Sequence, residues 1–224
     1  MDVVEAIKSR KSIRGFKPDP VPEEILKEIL EISSRAPSAM NTQPWEFTVI
    51  TGEVLDKIKQ ANEEKFNSGE PTQASVNRGV FTGKYRERQI AIAVQLFQLM
   101  DIPRGDKEKN TEWAKRGYRF FDAPVAIIIS VDESIGIEMM EEAQFDLGVV
   151  SQNIALAALN YGLVTCIHEQ GVRHPEIIKK FTGIPESKRI SICISVGYLD
   201  SSFPANNVYS EREPIENITT YCSE

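Results

Sequence analysis

Ser9-Arg10-Lys11-Ser12-Ile13-Arg14 and Ala36-Pro37-Ser38-Ala39-Met40-Asn41-Thr42-Gln43-Pro44-Trp45 are the two segments on which the reading of this chain turns. From Lys8 to Lys17 there are five basic side chains and no acid, although the 224-residue chain carries a formal net charge of −7. A local anion site stands out against that acidic background. Arg10, Lys11 and Ser12 offer a planar fork, a point charge and a hydroxyl in succession, donor types that suit phosphate oxygens. Such a cluster also sits favourably at a helix C-terminus, so taken alone it supports either reading. The second segment reads as a loop, with hydroxyl, amide and backbone donors in quick succession and Trp45 as a core anchor.

Around these segments the pattern alternates helices and strands. Asp2 is expected to cap a helix through about Arg10, with Val3, Val4 and Ile7 at helical spacing, and its end delivers the basic cluster. A second helix is expected from Pro22, with Ile25, Leu26, Ile29, Leu30 and Ser33 on one face, until Pro37 stops it where the loop begins. Glu46 to Thr51 reads as a strand, and Leu55, Ile58 and Phe66 mark the next helix. Residues 67 to 83 read as a polar excursion and a mobile lid, within a lid and excursion region of about 67–120. Residues 84 to 101 read as a helix with Ile90, Val94 and Phe97 on its apolar side. The six basic and three acidic residues between Arg104 and Arg119 read as a solvated helix face.

Pro124 opens a strand through Val131, and a long helix is expected from Glu138 to Tyr161, ending at Gly162. Its apolar residues lie on most faces, which places it in the core or between subunits. Leu163 to Ile167 and Ile190 to Val196 read as strands separated by a helix between Pro175 and Gly183. Residues 198–224 form an arm whose Phe203, Val208, Tyr209, Ile215, Ile218 and Tyr221 need a surface to bury against. Strands spread among helices without a βαβ repeat favour an α+β layer fold, and no linker divides residues 1–224, so a single domain is expected.

Several classes of function are disfavoured. There is no Gly-x-Gly-x-x-Gly or Walker sequence, and a pI near 5.1 argues against nucleic acid as a partner. The longest apolar runs are too short for a bilayer and no signal-peptide core is seen, so a cytoplasmic protein without a membrane partner is expected. Cys166, Cys193 and Cys222, with two histidines, lack zinc spacing; reduced thiols and no metal are expected.

Together, Arg-x-Ser-x-Arg at 10–14 and Pro-Ser-x-x-Asn-x-Gln-Pro-Trp at 37–45 resemble the nitroreductase family of FMN-dependent oxidoreductases. The resemblance implies a three-layer fold, with a central, mainly antiparallel sheet flanked by helices, in an intertwined homodimer. It implies FMN as cofactor, NADH or NADPH as donor, and ping-pong hydride transfer to nitroaromatic or quinone-like acceptors. It assigns Arg10, Lys11 and Ser12 to the phosphate and Arg14 to the flavin N1/O2 edge, where a cation favours the reduced ring. Pro37, Ser38, Ala39, Met40, Asn41 and Gln43 would reach or support the flavin from the other subunit. The backbone of Ile167, His168 and Glu169 would pass N5 and O4, with His168 read as structural. Arg212, within Ser210-Glu211-Arg212-Glu213-Pro214, would clamp the phosphate, Ser210 standing where some members carry lysine.

The same resemblance makes Asp146 to Ala158 the central helix, with Gly148 permitting close helix approach. Phe120 to Val125, the Glu169 region and the tail look most like the nitrobenzoate-reductase type. Two alternatives stay open: reductive dehalogenation of halophenols on the same fold, for which the chain lacks a Glu-x-x-x-Tyr pair, and a flavin-binding or delivery module without turnover.

Overall fold

The computed structural model describes residues 1–70 and 80–223. At its centre lie four strands, β1 (Glu46–Thr51), β2 (Val125–Asp132), β3 (Leu163–His168) and β4 (Lys188–Tyr198), in the order β1-β2-β4-β3. Each neighbouring pair is antiparallel. The run Val-Ala-Ile-Ile-Ile-Ser-Val of β2 is buried throughout, because alternate residues face two different helical layers.

Val125, Ile127, Ile129 and Val131 meet Leu26 and Ile29 of α2 (Glu23–Ser33) and Ala143, Leu147, Val150, Ile154 and Ala158 of α6 (Met140–Asn160). Ala126 and Ile128 face Leu55 and Ile58 of α3 (Gly52–Ser68) and Ile177 and Ile178 of α7 (Pro175–Thr182). Each fully buried Ile contributes about 1.5–3 kcal/mol by removal from water. The expected α+β, three-layer architecture is what these two cores build. No helix among the described residues is long and apolar enough to cross a membrane.

Three more helices complete the order: α1 (Val3–Ser9), α4 (Gly83–Leu99) and α5 (Lys107–Tyr118). Asp2 caps α1 as expected, its carboxylate accepting from the Val4 and Glu5 amides. Val3, Val4 and Ile7 nevertheless face outward, and Ala6 is the residue that α1 buries. Likewise Ile90 and Val94 of α4 are exposed, Phe97 is half-buried and Leu96 is buried, so much of the apolar side read from sequence is uncovered among the described residues. Helix α2 begins at Glu23, with Pro22 at its N-cap, and ends at Ser33 before reaching Pro37. The lid placed at 67–83 falls largely on residues 71–79, outside the described residues.

The solvated reading of 104–119 is corrected at its end. Lys115, Arg116 and Arg119 are drawn inward by ion pairs: Lys115 and Arg119 with Glu63, and Arg116 and Arg119 with Asp122. An added Cβ at Gly148 would meet nothing within 4 Å among the described residues, so the close approach implied by the resemblance is not made within the single chain. Beside it Phe145 is 74% exposed, so this face of α6 is largely uncovered among the described residues. The arm after Tyr198 is not uniformly peripheral. Ala205, Asn206 and Val208 are buried against their own chain, whereas Tyr209, Ile215, Ile218 and Tyr221 are exposed.

Candidate functional site

Helix α1 ends at Ser9, and the chain then runs beside β3, where the Ile13 amide donates to the Thr165 carbonyl at 2.9 Å. Ile13 is buried and pins the segment to the core. Further along, the Lys17 amide donates to Tyr198 O at 2.9 Å. Between these points the backbone is held by Asn206, a residue that the sequence does not mark. Its Oδ1 accepts from the Arg14 amide (2.8 Å) and the Gly15 amide (3.1 Å), and its Nδ2 donates to Gly15 O and Asp200 O, both at 2.8 Å. Lys11 Nζ donates to the Asn206 carbonyl at 2.6 Å. Glycine is required at 15 because a Cβ would stand 2.2 Å from the Phe203 ring.

Cys166 and His168 share one face of β3 by its two-residue period. Burial pushes the Cys166 thiol up to about 11, against opposing effects from Arg14, Ser12 and Arg10. Burial, followed by Arg14 and Arg173, holds His168 down at about 3. Arg14 therefore acts on both groups, with Arg10 toward Cys166 and Arg173 toward His168. His168 is a neutral ring against Phe121 and Ser195, in keeping with its structural reading. Glu169 pairs with Arg173 at 2.9 Å. The three thiols are unpaired, and no cluster of metal-ligating side chains occurs among the described residues.

The second segment forms a loop on α6. Buried Asp146 accepts from the Ala39 amide at 3.1 Å, Ser38 Oγ accepts from the Gln43 amide at 2.9 Å, and Trp45 is buried behind them. Met40, Asn41 and Gln43 have φ of 47°, 60° and 48°, so the loop is held in the left-handed region that side-chain-bearing residues rarely adopt. Met40 is 87% exposed, and Pro37, Ser38 and Ala39 line a shallow groove with Phe145.

Arg212 is exposed, and its guanidinium bonds to Ser210 O, Ser210 Oγ and Glu211 O. The arm around it lies along α4, through an Arg88–Glu213 ion pair and a Tyr209 amide bond to Gln95. Among the described residues, no hydrogen bond or ion pair joins segment 10–14, the 37–43 loop and Arg212 to one another. The structure thus gathers Arg10, Ser12, Arg14 and His168 at β3 and leaves the loop and Arg212 elsewhere on the chain.

The donor set fits a phosphate-bearing group. Arg10, Arg14 and Arg212 make no ion pair with any described residue, in a chain with an excess of acids. Guanidinium groups held without an acid partner are available to an external anion.

An α+β protein with arginines free of acid partners beside its sheet is the class defined by these features. Residues 7–198 match the model described as "Nitroreductase family". The chain is 33% identical over 225 residues to the nitrobenzene nitroreductase of Ectopseudomonas oleovorans, covering 98% of this chain and 96% of that protein. It is 28% identical to a 4-nitrobenzoate reductase of Pseudomonas putida, covering 98% and 95%. In fold it is similar to the FMN and NADPH-dependent nitroreductase NfnB from sphigopyxis sp. strain HMH, with a TM-score of 0.92 over all of both chains and 24% identity. The chain belongs to the Nitroreductase family, and the resemblance carried by its two N-terminal segments is borne out.

Proposed function

We propose that this chain is an FMN-dependent NAD(P)H:acceptor oxidoreductase of the cytoplasm that reduces nitroaromatic or quinone-like compounds in a ping-pong cycle. The observation that carries this reading is the pair of acid-free arginines, Arg10 and Arg14, on a backbone clamped beside β3. Bound FMN supplies hydride acceptance and donation at its N5; the chain supplies position and charge. Arg10, Lys11, Ser12 and Arg212 would hold the phosphate. Arg14 would set a fixed cation against the ring edge that becomes negative on reduction, and the backbone of Ile167 to Glu169 would flank the ring. No side chain is needed as nucleophile or proton relay. Similarity to a nitrobenzene nitroreductase and a 4-nitrobenzoate reductase supports a nitroaromatic acceptor.

A second copy of the chain completes the site in this reading. Val3, Val4, Ile7, Met40, Phe145, Tyr209, Ile215, Ile218 and Tyr221 are exposed in the single chain, more apolar surface than scattered residues account for. The 37–43 loop and the end of the arm would then meet segment 10–14 of the partner.

Substitution of the two arginines tests the assignment. Arg14→Gln should lower the flavin midpoint potential and slow its reduction by NAD(P)H more than it weakens FMN binding, because charge at the ring edge is lost. Arg10→Gln should instead weaken FMN binding by roughly tenfold or more with little change in potential, since a charge-assisted bond contributes about 1.5–3 kcal/mol. Stopped-flow reduction and cofactor titration separate the two. Equal potentials in Arg14→Gln and wild type remove the electronic role, and intersecting rather than parallel initial-rate lines remove the ping-pong cycle.

A further inference from the structure

The turn between α5 and β2 holds Phe120, Phe121 and Asp122 at φ of 56°, 55° and 59°, three successive side-chain-bearing residues in the left-handed region. Such a run is sterically unfavourable and persists only where surrounding contacts fix it. Here the contacts come from two sides. From the sheet, Ser195 Oγ donates its one proton to Phe120 O at 2.8 Å. The 2.9 Å contact between Ser195 Oγ and His168 Nε2 therefore has the histidine as donor, giving a directed chain from His168 through Ser195 to the turn.

From α5, Arg116 reaches across the turn. Its Nη1 pairs with Asp122 Oδ2 at 2.8 Å, and its Nη2 donates to Phe121 O at 3.4 Å and to Arg14 O at 3.3 Å. The guanidinium lies 4.4 Å from the centre of the Phe203 ring, the ring that excludes a side chain at Gly15. Arg14 is thus gripped at its amide by Asn206 and at its carbonyl by Arg116. One planar group joins a strained, sheet-anchored turn to the residue assigned to the flavin edge.

We infer that Arg116 is a positioning residue for Arg14, transmitting the fixed geometry of the Phe120–Asp122 turn to the cation at the flavin ring. The inference rests on the flavin reading of Arg14. It requires the fork of arginine: a lysine keeps the charge but cannot span Asp122, Phe121 O and Arg14 O in one plane.

The test compares the midpoint potential of FMN-loaded wild type, Arg14→Gln, Arg116→Lys, Arg116→Gln and the Arg14→Gln/Arg116→Gln double variant. Amide exchange at Arg14 and Gly15 is measured in the corresponding apoproteins. Both Arg116 variants should bind reduced FMN about tenfold more weakly relative to oxidised FMN, a fall of about 30 mV for two electrons. The double variant should match Arg14→Gln alone, and exchange at Arg14 and Gly15 should accelerate. A potential kept by Arg116→Lys, or additive shifts in the double variant, would show charge acting directly and overturn the inference. Where Arg116→Gln does not fold, Arg116→Lys carries the comparison. A shift in Arg14→Gln with none in the Arg116 variants overturns this inference alone; an unshifted Arg14→Gln removes the flavin reading and the inference with it.

Discussion

Asn206→Leu is expected to destabilise the apoprotein by about 3–5 kcal/mol and to abolish tight FMN binding, although residue 206 lies more than 190 positions from the segment it holds. The amide side chain satisfies two donors, Arg14 N and Gly15 N, and two acceptors, Gly15 O and Asp200 O. Asn206 itself is 4% exposed, and leucine would leave its partners facing an apolar group. Each buried polar group left unpaired costs about 1–3 kcal/mol, with the less buried ones at the low end. Loss of the clamp also frees Arg14, so the effect on flavin should exceed that on stability. Denaturant unfolding and FMN titration of Asn206→Leu and Asn206→Asp provide the check. Aspartate keeps the acceptor and loses the two donated bonds, so it should fall between leucine and wild type. A leucine variant as stable as wild type would contradict the clamp.

His168 should dominate the acid limb of stability. Its folded pKa of about 3 lies below the ordinary histidine value of 6.5, because burial and the cations Arg14 and Arg173 oppose a charged ring. Below pH 6.5 the unfolded chain binds a proton there that the folded chain does not, so stability rises with pH in this window. The stabilisation is fully present above pH 6.5 and is lost as pH falls toward 3, by about 1.4 kcal/mol per unit. Between pH 6.5 and 4 the wild type should therefore lose about 3 kcal/mol more than His168→Gln, which can still donate to Ser195 but does not titrate. Unfolding free energies measured at both pH values decide the matter. Parallel curves for the two proteins would mean that the ring is not buried in its neutral form.

The sequence revealed most where local chemistry is sufficient. The Ile-rich run of β2, the Asp2 cap and Gly162 and Gly183 each predict the element observed, because a period, a cap or a positive φ needs only neighbouring residues. The proposed anion site rests on local chemistry too, its donors Arg10, Lys11 and Ser12 being consecutive. Asn206 and Arg116 were not legible, and Phe203 was marked only as an arm residue in need of a surface, without its place over Gly15. They lie in a polar arm and a charged helix with no periodicity to single them out, and their partners at 14 and 15 are over a hundred positions away. Helix α4 and Gly148 show the converse failure. Their patterns demand a packing surface that the described residues of a single chain do not supply at Ile90, Val94 and Gly148.

Native mass spectrometry of the purified protein, with the released cofactor identified by mass, tests the central claim most directly. A site built from segment 10–14 of one chain and the loop and arm of another should give two 25.2 kDa chains carrying two FMN. A flavin-free monomer, or recovery of FAD in place of FMN, would contradict the account.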